Sequence, residues 1–424
     1  MEPIRAVKGT RDFYPEDMSF RRWLYAKIRE ASERFGYQEY DGPFLERLDL
    51  YAAKSGEELV KDQSFVFEDR GGEMVALRPE LTPSLARMVA AKSKALPRPI
   101  RWWSFGPFWR YERPQRGRSR EFFQWNIDIL GVESPEADAE IVAAGAELLR
   151  GVGLSPEAVR ILVNDRRLAE SQLDEIGIGS ERRSLVFKLI DRRDRMSPAK
   201  WAEWSLEEGL SQQELGALET MLEDREAWKN SAPLARLFDA TDSLGVANYI
   251  AYDPTVIRGL DYYTGTVFEA RDTDGKFRAI FGGGRYDDLV SAVGGDPVPG
   301  TGFAMGDMVI RLVLEQYGAT PPLNPRPAEI LVTTFDESML KNSLELAAEF
   351  RATKISVEWY PVPDKLTKQL KYANRVGARV AVILGPDELA AGTVTVRNLI
   401  SGEQQTVSRE SAPALAKQIF EAAK

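Results

Sequence analysis

The densest chemistry in the chain lies between Phe108 and Asp128. Five arginines fall between Arg110 and Arg120, and an aromatic pair, Phe122 and Phe123, follows. Successive side chains on a strand alternate faces, so Arg110 and Glu112 would face together, as would Phe122, Gln124, Asn126 and Asp128. An arginine on a sheet floor can grip a phosphate through two parallel N–H bonds. A nearby aromatic can stack on a base, and Gln124 with Asp128 can read an amine. The basic loop at 113–118 is placed to touch a nucleic-acid backbone. Its composition fits a solvated charged loop on an ordinary hairpin equally well.

These residues need elements to position them. The length of 424 residues predicts two or three domains. Residues 1 to about 150 read as mixed α/β. An amphipathic helix is expected over 18–35, with Phe20, Leu24, Ile28, Ala31 and Phe35 on one face. Short strands are expected at 64–68, 73–78 and 100–105, with a helix near 83–94. Extended runs at 108–112 and 121–130 then flank the arginine-rich loop as a hairpin. Consecutive strands of this kind favour an antiparallel sheet with helices on one side. Residues 165 to about 235 are rich in Arg, Glu and Leu at helical spacing, with Trp201, Trp204 and Trp228, and read as a helical insertion. Strands return at 266–270 and 277–281, before a glycine-rich stretch from Gly282 to Gly306. The proline-rich 321–327 reads as a stiff linker. Beyond it, strands at 329–334, 355–360 and 379–384 alternate with helices at 338–351 and 365–376, which implies a small, mostly parallel α/β domain over 328–424.

Composition narrows the chemistry further. The chain contains no histidine and no cysteine. Imidazole, the usual general base near neutral pH, is therefore unavailable. Disulfides, thiolate nucleophiles and zinc–thiolate sites are excluded as well. Catalysis must run on carboxylates, Arg, Lys, Tyr, backbone groups or a carboxylate-held metal. The net charge of −9 argues only weakly against a nucleic-acid partner, because phosphate contacts need a local basic patch. No stretch approaches the roughly 20 apolar residues that cross a membrane. The N-terminus, Met-Glu-Pro-Ile-Arg, lacks the pattern of a secretory signal. A cytoplasmic enzyme is expected.

The run Arg110-Tyr-Glu-Arg-Pro-Gln-Arg-Gly-Arg-Ser-Arg-Glu-Phe-Phe-Gln124 is similar to motif 2 of the class II aminoacyl-tRNA synthetases, in the form that histidyl-tRNA synthetases use. Lys8-Gly-Thr-Arg-Asp-Phe-Tyr-Pro15 resembles that family's N-terminal signature. Residues 36–45, with Pro43, resemble motif 1, although Gly42-Pro43 also fits a plain turn. Leu77-Arg-Pro-Glu-Leu-Thr82 resembles the loop that holds the substrate amino group, and Arg258-Gly-Leu-Asp-Tyr-Tyr-Thr-Gly265 the histidine-specific signature. Read by themselves, Glu80 fits an exposed acid near a helix start, and the Tyr262–Tyr263 pair a plain core. Gly282-Gly-Gly-Arg-Tyr-Asp287 and Gly302-Phe-Ala-Met-Gly306 resemble the last strand and the start of motif 3.

The resemblance implies an α+β catalytic domain of the class II synthetase type over 1–320, built on an antiparallel sheet and carrying the helical insertion. It also implies an α/β anticodon-binding domain over 328–424 and a homodimer. It implies ATP-dependent ligation of L-histidine to tRNA(His) through a histidyl-adenylate, with Mg²⁺ and without a membrane partner. Arg110 would bind the ATP α-phosphate, Glu112 would contact the adenosine side and Phe122 would stack on adenine. Glu80, Thr82, Gln124, Asp128, Arg258, Tyr262 and Tyr263 would bind histidine, with Arg258 bridging its carboxylate and the α-phosphate. Arg113 and Gln115 would meet the tRNA acceptor end, and no protein metal ligand is implied.

The pattern departs from the family at one point. Motif 3 places an arginine shortly after Met-Gly, to hold the ATP γ-phosphate, and here Val309 takes that position. Arg311 lies two residues later, an offset that faces elsewhere on a helix. Arg118, Arg120 or Mg²⁺ are the compensating candidates. The departure keeps two alternatives in view: a non-catalytic paralogue such as the regulatory subunit of ATP phosphoribosyltransferase, and a synthetase-like RNA-binding accessory protein.

Overall fold

The 121–130 run folds as one strand whose odd positions, Phe123, Trp125, Ile127 and Ile129, are buried in the core. In a computed structural model describing residues 4–52, 63–257, 263–323 and 325–422, this strand is central to the larger of two sheets in the first of two compact units. That unit is Met1–Asp12 with Arg22–Pro321, and the second is Phe13–Arg21 with Pro322–Lys424.

The strands of the first unit are β1 (Gln38–Glu39), β2 (Leu45–Arg47), β3 (Phe65–Glu68), β4 (Met74–Leu77), β5 (Ile100–Trp109), β6 (Glu121–Leu130), β7 (Val159–Asp165), β8 (Ile250–Tyr252), β9 (Thr266–Asp272), β10 (Phe281–Tyr286) and β11 (Gly300–Gly306). Eight of them form one sheet in the order β1-β5-β6-β11-β10-β9-β7-β8, and β2-β4-β3 form another. Pairing is antiparallel from β5 through β7 and parallel only at the edges, β1 with β5 and β7 with β8.

The buried face of the large sheet is aromatic. Phe303 packs edge-on against Trp125 with centroids 4.8 Å apart and stacks on Phe281 at 4.4 Å. The Pro135–Gly151 helix covers this face, and Gly145 lets it approach, since a Cβ there would come within 2.6 Å of the Phe281 ring. The helix starts where its sequence dictates: Ser134 caps the Ala137 N–H, Pro135 occupies the first turn, and Glu136 and Asp138 complement the helix dipole. Five helices follow β7 between Arg166 and Ser243. They include a cluster of their own around Trp201, Leu189 and Leu218, with the Trp201 indole N–H donating to the Leu189 carbonyl at 2.8 Å.

Two strand expectations need correction. Residues 100–105 and 108–112 are not separate strands, because β5 runs unbroken to Trp109. Its pairing with β6 runs through Gly106-Pro107, and Gly106 leaves room for the Arg78 guanidinium that lies over it. Residues 277–281 are not the strand either; the glycine run is, as β10. A Cβ on Gly283 would overlap the Gly302 carbonyl across the β10–β11 pair, so the glycines permit the close approach of the two strands.

In the second unit, β12 (Ile330–Val332), β13 (Val357–Trp359), β14 (Val380–Ile383), β15 (Thr393–Asn398) and β16 (Gln404–Ser408) form a sheet ordered β13-β12-β14-β15-β16. The first three are parallel, as expected. The last two add antiparallel pairs, so the sheet is mixed.

Candidate active site

The register of the central strands builds an open floor. Phe122, Gln124, Asn126 and Asp128 share one face of β6. Their partners on that face are largely stripped of side chains: Gly106 and Gly306 flank Gln124, Gly302 lies opposite Asp128, and Gly284 follows on β10. A Cβ on Gly302 would overlap Asp128 Oδ1, so the acid and the glycine require one another. Gly306 faces open space. At the other end Phe122 lies opposite Phe108 with the rings stacked 6.0 Å apart.

Asp128 closes one end of the floor. It is 5% exposed and accepts a 2.5 Å hydrogen bond from the Tyr286 hydroxyl. Burial pushes its carboxyl up to about 7, against the opposing effect of the Tyr286 hydrogen bond. Tyr40 is packed beside Trp102, with its hydroxyl buried and without a hydrogen-bond partner. Its own pKa is held well above the usual phenol value by burial and then by the Asp128 charge. Tyr263 is buried in the core cluster with Leu85, Val267 and Tyr286, its ring against Gly284. Beneath, Arg285 makes a buried pair with Asp138 (2.8 Å) and donates to the Val132 and Ser134 carbonyls. With its hydrogen bonds satisfied, this pair anchors β10 next to Tyr286.

The other end is a cleft of about 150 Å³, lined among others by Arg110, Glu112, Phe122, Gln124, Arg278 and Val309. The Arg110 guanidinium lies 5.5 Å over the Phe122 ring, and its Nε donates to the Pro79 carbonyl at 2.9 Å. That bond ties the floor to the loop carrying Glu80 and Thr82, both half-buried at the start of the Thr82–Lys92 helix. Glu112 is 8% exposed. Its Oε2 pairs with Arg118, and its Oε1 is buried without a hydrogen-bond partner. Arg113 and Gln115 are exposed on a tight turn, where Gln115 and Arg118 pair through their backbones and Gly117 has φ 76°. Arg258 and Tyr262 lie outside the described residues.

Several residues inside the sequence motifs receive no role from sequence alone and gain one from the structure. Tyr286 stands inside a recognised motif, but only the pairing of strands remote in sequence brings it to Asp128. Arg78 is wholly buried, with its guanidinium 4.6 Å from both the Phe44 and Phe108 rings. It donates to Asp41 (2.5 Å) and to the Gly42 and Pro107 carbonyls, so it joins three segments around the cleft. Gly9 uses one carbonyl to accept from Ser119 Oγ and from the Arg120 and Glu121 amides. Arg11 pairs with Asp307 at 2.8 Å, and the other Asp307 oxygen accepts from the Phe123 N–H. The N-terminal signature therefore braces the basic hairpin and the start of the Asp307–Gln316 helix.

An antiparallel floor with a basic hairpin loop at one end, whose last strand runs straight into a helix, defines the catalytic core of a class II aminoacyl-tRNA synthetase. The family model described as histidyl-tRNA synthetase matches residues 9–308, and one described as anticodon binding domain matches 328–419. The chain belongs to the histidyl-tRNA synthetase family. It is 38% identical over 418 residues to the histidine–tRNA ligase of Thermoplasma volcanium, covering 96% of each chain. The histidine–tRNA ligase of Leptospira biflexa is 36% identical over 415 residues, 95% of this chain and 94% of that one. Among solved structures, apo S. aureus histidyl-tRNA synthetase superposes with a TM-score of 0.75 at 26% identity, covering 98% and 100% of the two chains.

Proposed function

We propose that the chain ligates L-histidine to tRNA(His) in two steps, using ATP to form a histidyl-adenylate. The observation that carries this reading is the single open floor joining a buried acid–tyrosine pair, Asp128 and Tyr286, to a cleft of arginine and phenylalanine. One end suits an imidazole and the other a nucleotide.

In the first step an oxygen of the histidine carboxylate attacks the α-phosphorus, and pyrophosphate leaves with the electrons of the broken P–O bond. A carboxylate needs no deprotonation, so no general base is required and the absence of histidine is no obstacle. Catalysis is orientation plus neutralisation of developing phosphate charge. Arg110 neutralises the α-phosphate, Phe122 stacks on adenine and Glu112 faces the adenosine side. Arg258 bridges the substrate carboxylate and the α-phosphate. Glu80 and Thr82 hold the substrate ammonium, with Gln124, Tyr262 and Tyr263 completing the pocket. Asp128 takes the imidazole N–H. Without substrate, burial pushes its carboxyl up to about 7; an imidazolium beside it favours the charged carboxylate. In the second step a terminal ribose hydroxyl of the tRNA attacks the acyl carbon, the acyl–phosphate C–O bond breaks, and AMP leaves with its phosphate taking up the hydroxyl proton. Arg113 and Gln115, exposed beside the cleft, meet the acceptor end.

An Mg²⁺ ion carried by the ATP phosphates would need only one or two protein oxygens and would supply charge neutralisation there; among the described residues the buried Glu112 Oε1, which has no hydrogen-bond partner, is the oxygen that could hold it. The chain acts in the cytoplasm and as a homodimer. Support for the dimer comes from the three-stranded sheet, one face of which carries Leu45, Phe67, Phe65, Leu77 and Val75 together with the exposed Arg47, with Leu45 48% and Phe67 45% exposed. An apolar face of this kind marks an interaction surface. The second unit reads the anticodon.

Histidine-dependent ATP–pyrophosphate exchange, run with each amino acid in turn, tests the assignment. Exchange with histidine alone is expected; exchange with none would favour the paralogue reading that the altered 307–309 stretch keeps open.

A further inference from the structure

Val309 leaves the terminal phosphate of ATP without the cation that the family's motif 3 supplies. We propose that Arg278, on the segment between β9 and β10, supplies it; this assignment rests on the nucleotide reading of the cleft.

Arg278 is exposed and lines the nucleotide cleft together with Arg110, Phe122 and Val309. It also lines the adjoining cleft of about 160 Å³, with Arg116, Lys276, Phe277, Val309 and Leu312. Val309 thus stands on the border of two cavities, and Arg278 reaches both. The second cavity carries three cationic side chains, Arg116, Lys276 and Arg278, and no acidic one. That composition suits the β- and γ-phosphates. In the attack at the α-phosphorus, the electrons of the broken bond pass to the departing pyrophosphate, and a cation placed here neutralises them. The guanidinium fork can hold two phosphate oxygens at once.

The geometry also decides against the other candidates. A two-residue slip of the Asp307–Gln316 helix would bring Arg311 to the position of Val309. Asp307 forbids that slip, because its carboxylate is held by the Phe123 N–H (3.0 Å) and by Arg11 (2.8 Å). Arg311 lines neither cavity and reaches along its own helix to Glu315. Arg120 stacks 3.9 Å over Tyr111 and lines neither cavity. Arg118 lines the nucleotide cleft but not the second cavity, which Arg278 also borders.

The test uses the full-length protein. In R278A the KM for ATP and for pyrophosphate in histidine-dependent exchange is expected to rise by on the order of 10²-fold, with the KM for histidine unchanged. Binding of a non-hydrolysable histidyl-adenylate analogue, which has no β- or γ-phosphate, should also be unchanged. R278K should retain part of the function, and V309R introduced into R278A should recover ATP affinity. R311A should behave as wild type. Calorimetric ATP binding equal in wild type and R278A would sink the assignment, as would equal losses of ATP and adenylate analogue, which mark a merely structural role. Exchange absent from the wild type with every amino acid would instead sink the ligase reading, and the binding measurement separates the two.

Discussion

At the scale of single residues, the buried carboxyl of Asp128, the proposed imidazole partner, carries a stability cost. Its folded-state pKa is raised to about 7 from 3.8, so the native state keeps a proton that the unfolded chain releases. Without substrate, stability therefore falls as pH rises through that window, by up to about 1.4 kcal/mol per pH unit for one such group. Asp128→Asn should flatten this slope and melt at a higher temperature than wild type at pH 8, with little difference near pH 4. Thermal unfolding of both proteins at several pH values checks it. The same variant should lose histidine-dependent exchange, since the amide cannot carry the charge that matches an imidazolium.

Elements matter here through their glycines. The open floor exists because β5, β10 and β11 present glycine where an ordinary strand presents a side chain. Gly302→Ala would drive a methyl group into Asp128 Oδ1. It should cost about 1–3 kcal/mol of stability as overpacking and abolish histidine activation, read by calorimetry and exchange. Gly216→Ala is the contrast: this residue sits within the Gln212–Glu223 helix with nothing near its Cβ position. It should stabilise by up to ~1 kcal/mol and leave exchange as it is.

For the whole molecule, the exposed, largely apolar face of the β2-β4-β3 sheet is the proposed dimer surface. Leu45→Glu combined with Phe67→Glu should turn the dimer into a monomer in sedimentation velocity. Exchange should fall with it, because β4 runs directly into the loop that bears Glu80 and Thr82. A dimer surviving both charges would move the interface elsewhere.

Local sequence was enough for the first helix, the helical insertion, the alternating helices of the second unit and the β5–β6 hairpin, but not for the Pro135–Gly151 helix that covers the sheet; it also proposed Arg110, Glu112, Phe122, Gln124 and Asp128 as one site. Each rests on short-range periodicity or on a contiguous motif. Residue patterning alone misplaced the glycine strand β10 at 277–281, because glycine signals a turn unless two strands are known to press together. The antiparallel end of the second sheet escaped it as well, since alternation along a strand carries no direction. Composition alone excluded imidazole and thiol chemistry. Only the tertiary structure brought Tyr286 to Asp128, Gly9 and Arg11 to the basic hairpin, and Arg278 to the cavity wall beside Val309. Those pairs are separated by 158, 110, 296 and 31 positions in the cases of Tyr286–Asp128, Gly9–Ser119, Arg11–Asp307 and Arg278–Val309. Contacts of that span are decided by how the sheet orders its strands, which no local pattern encodes.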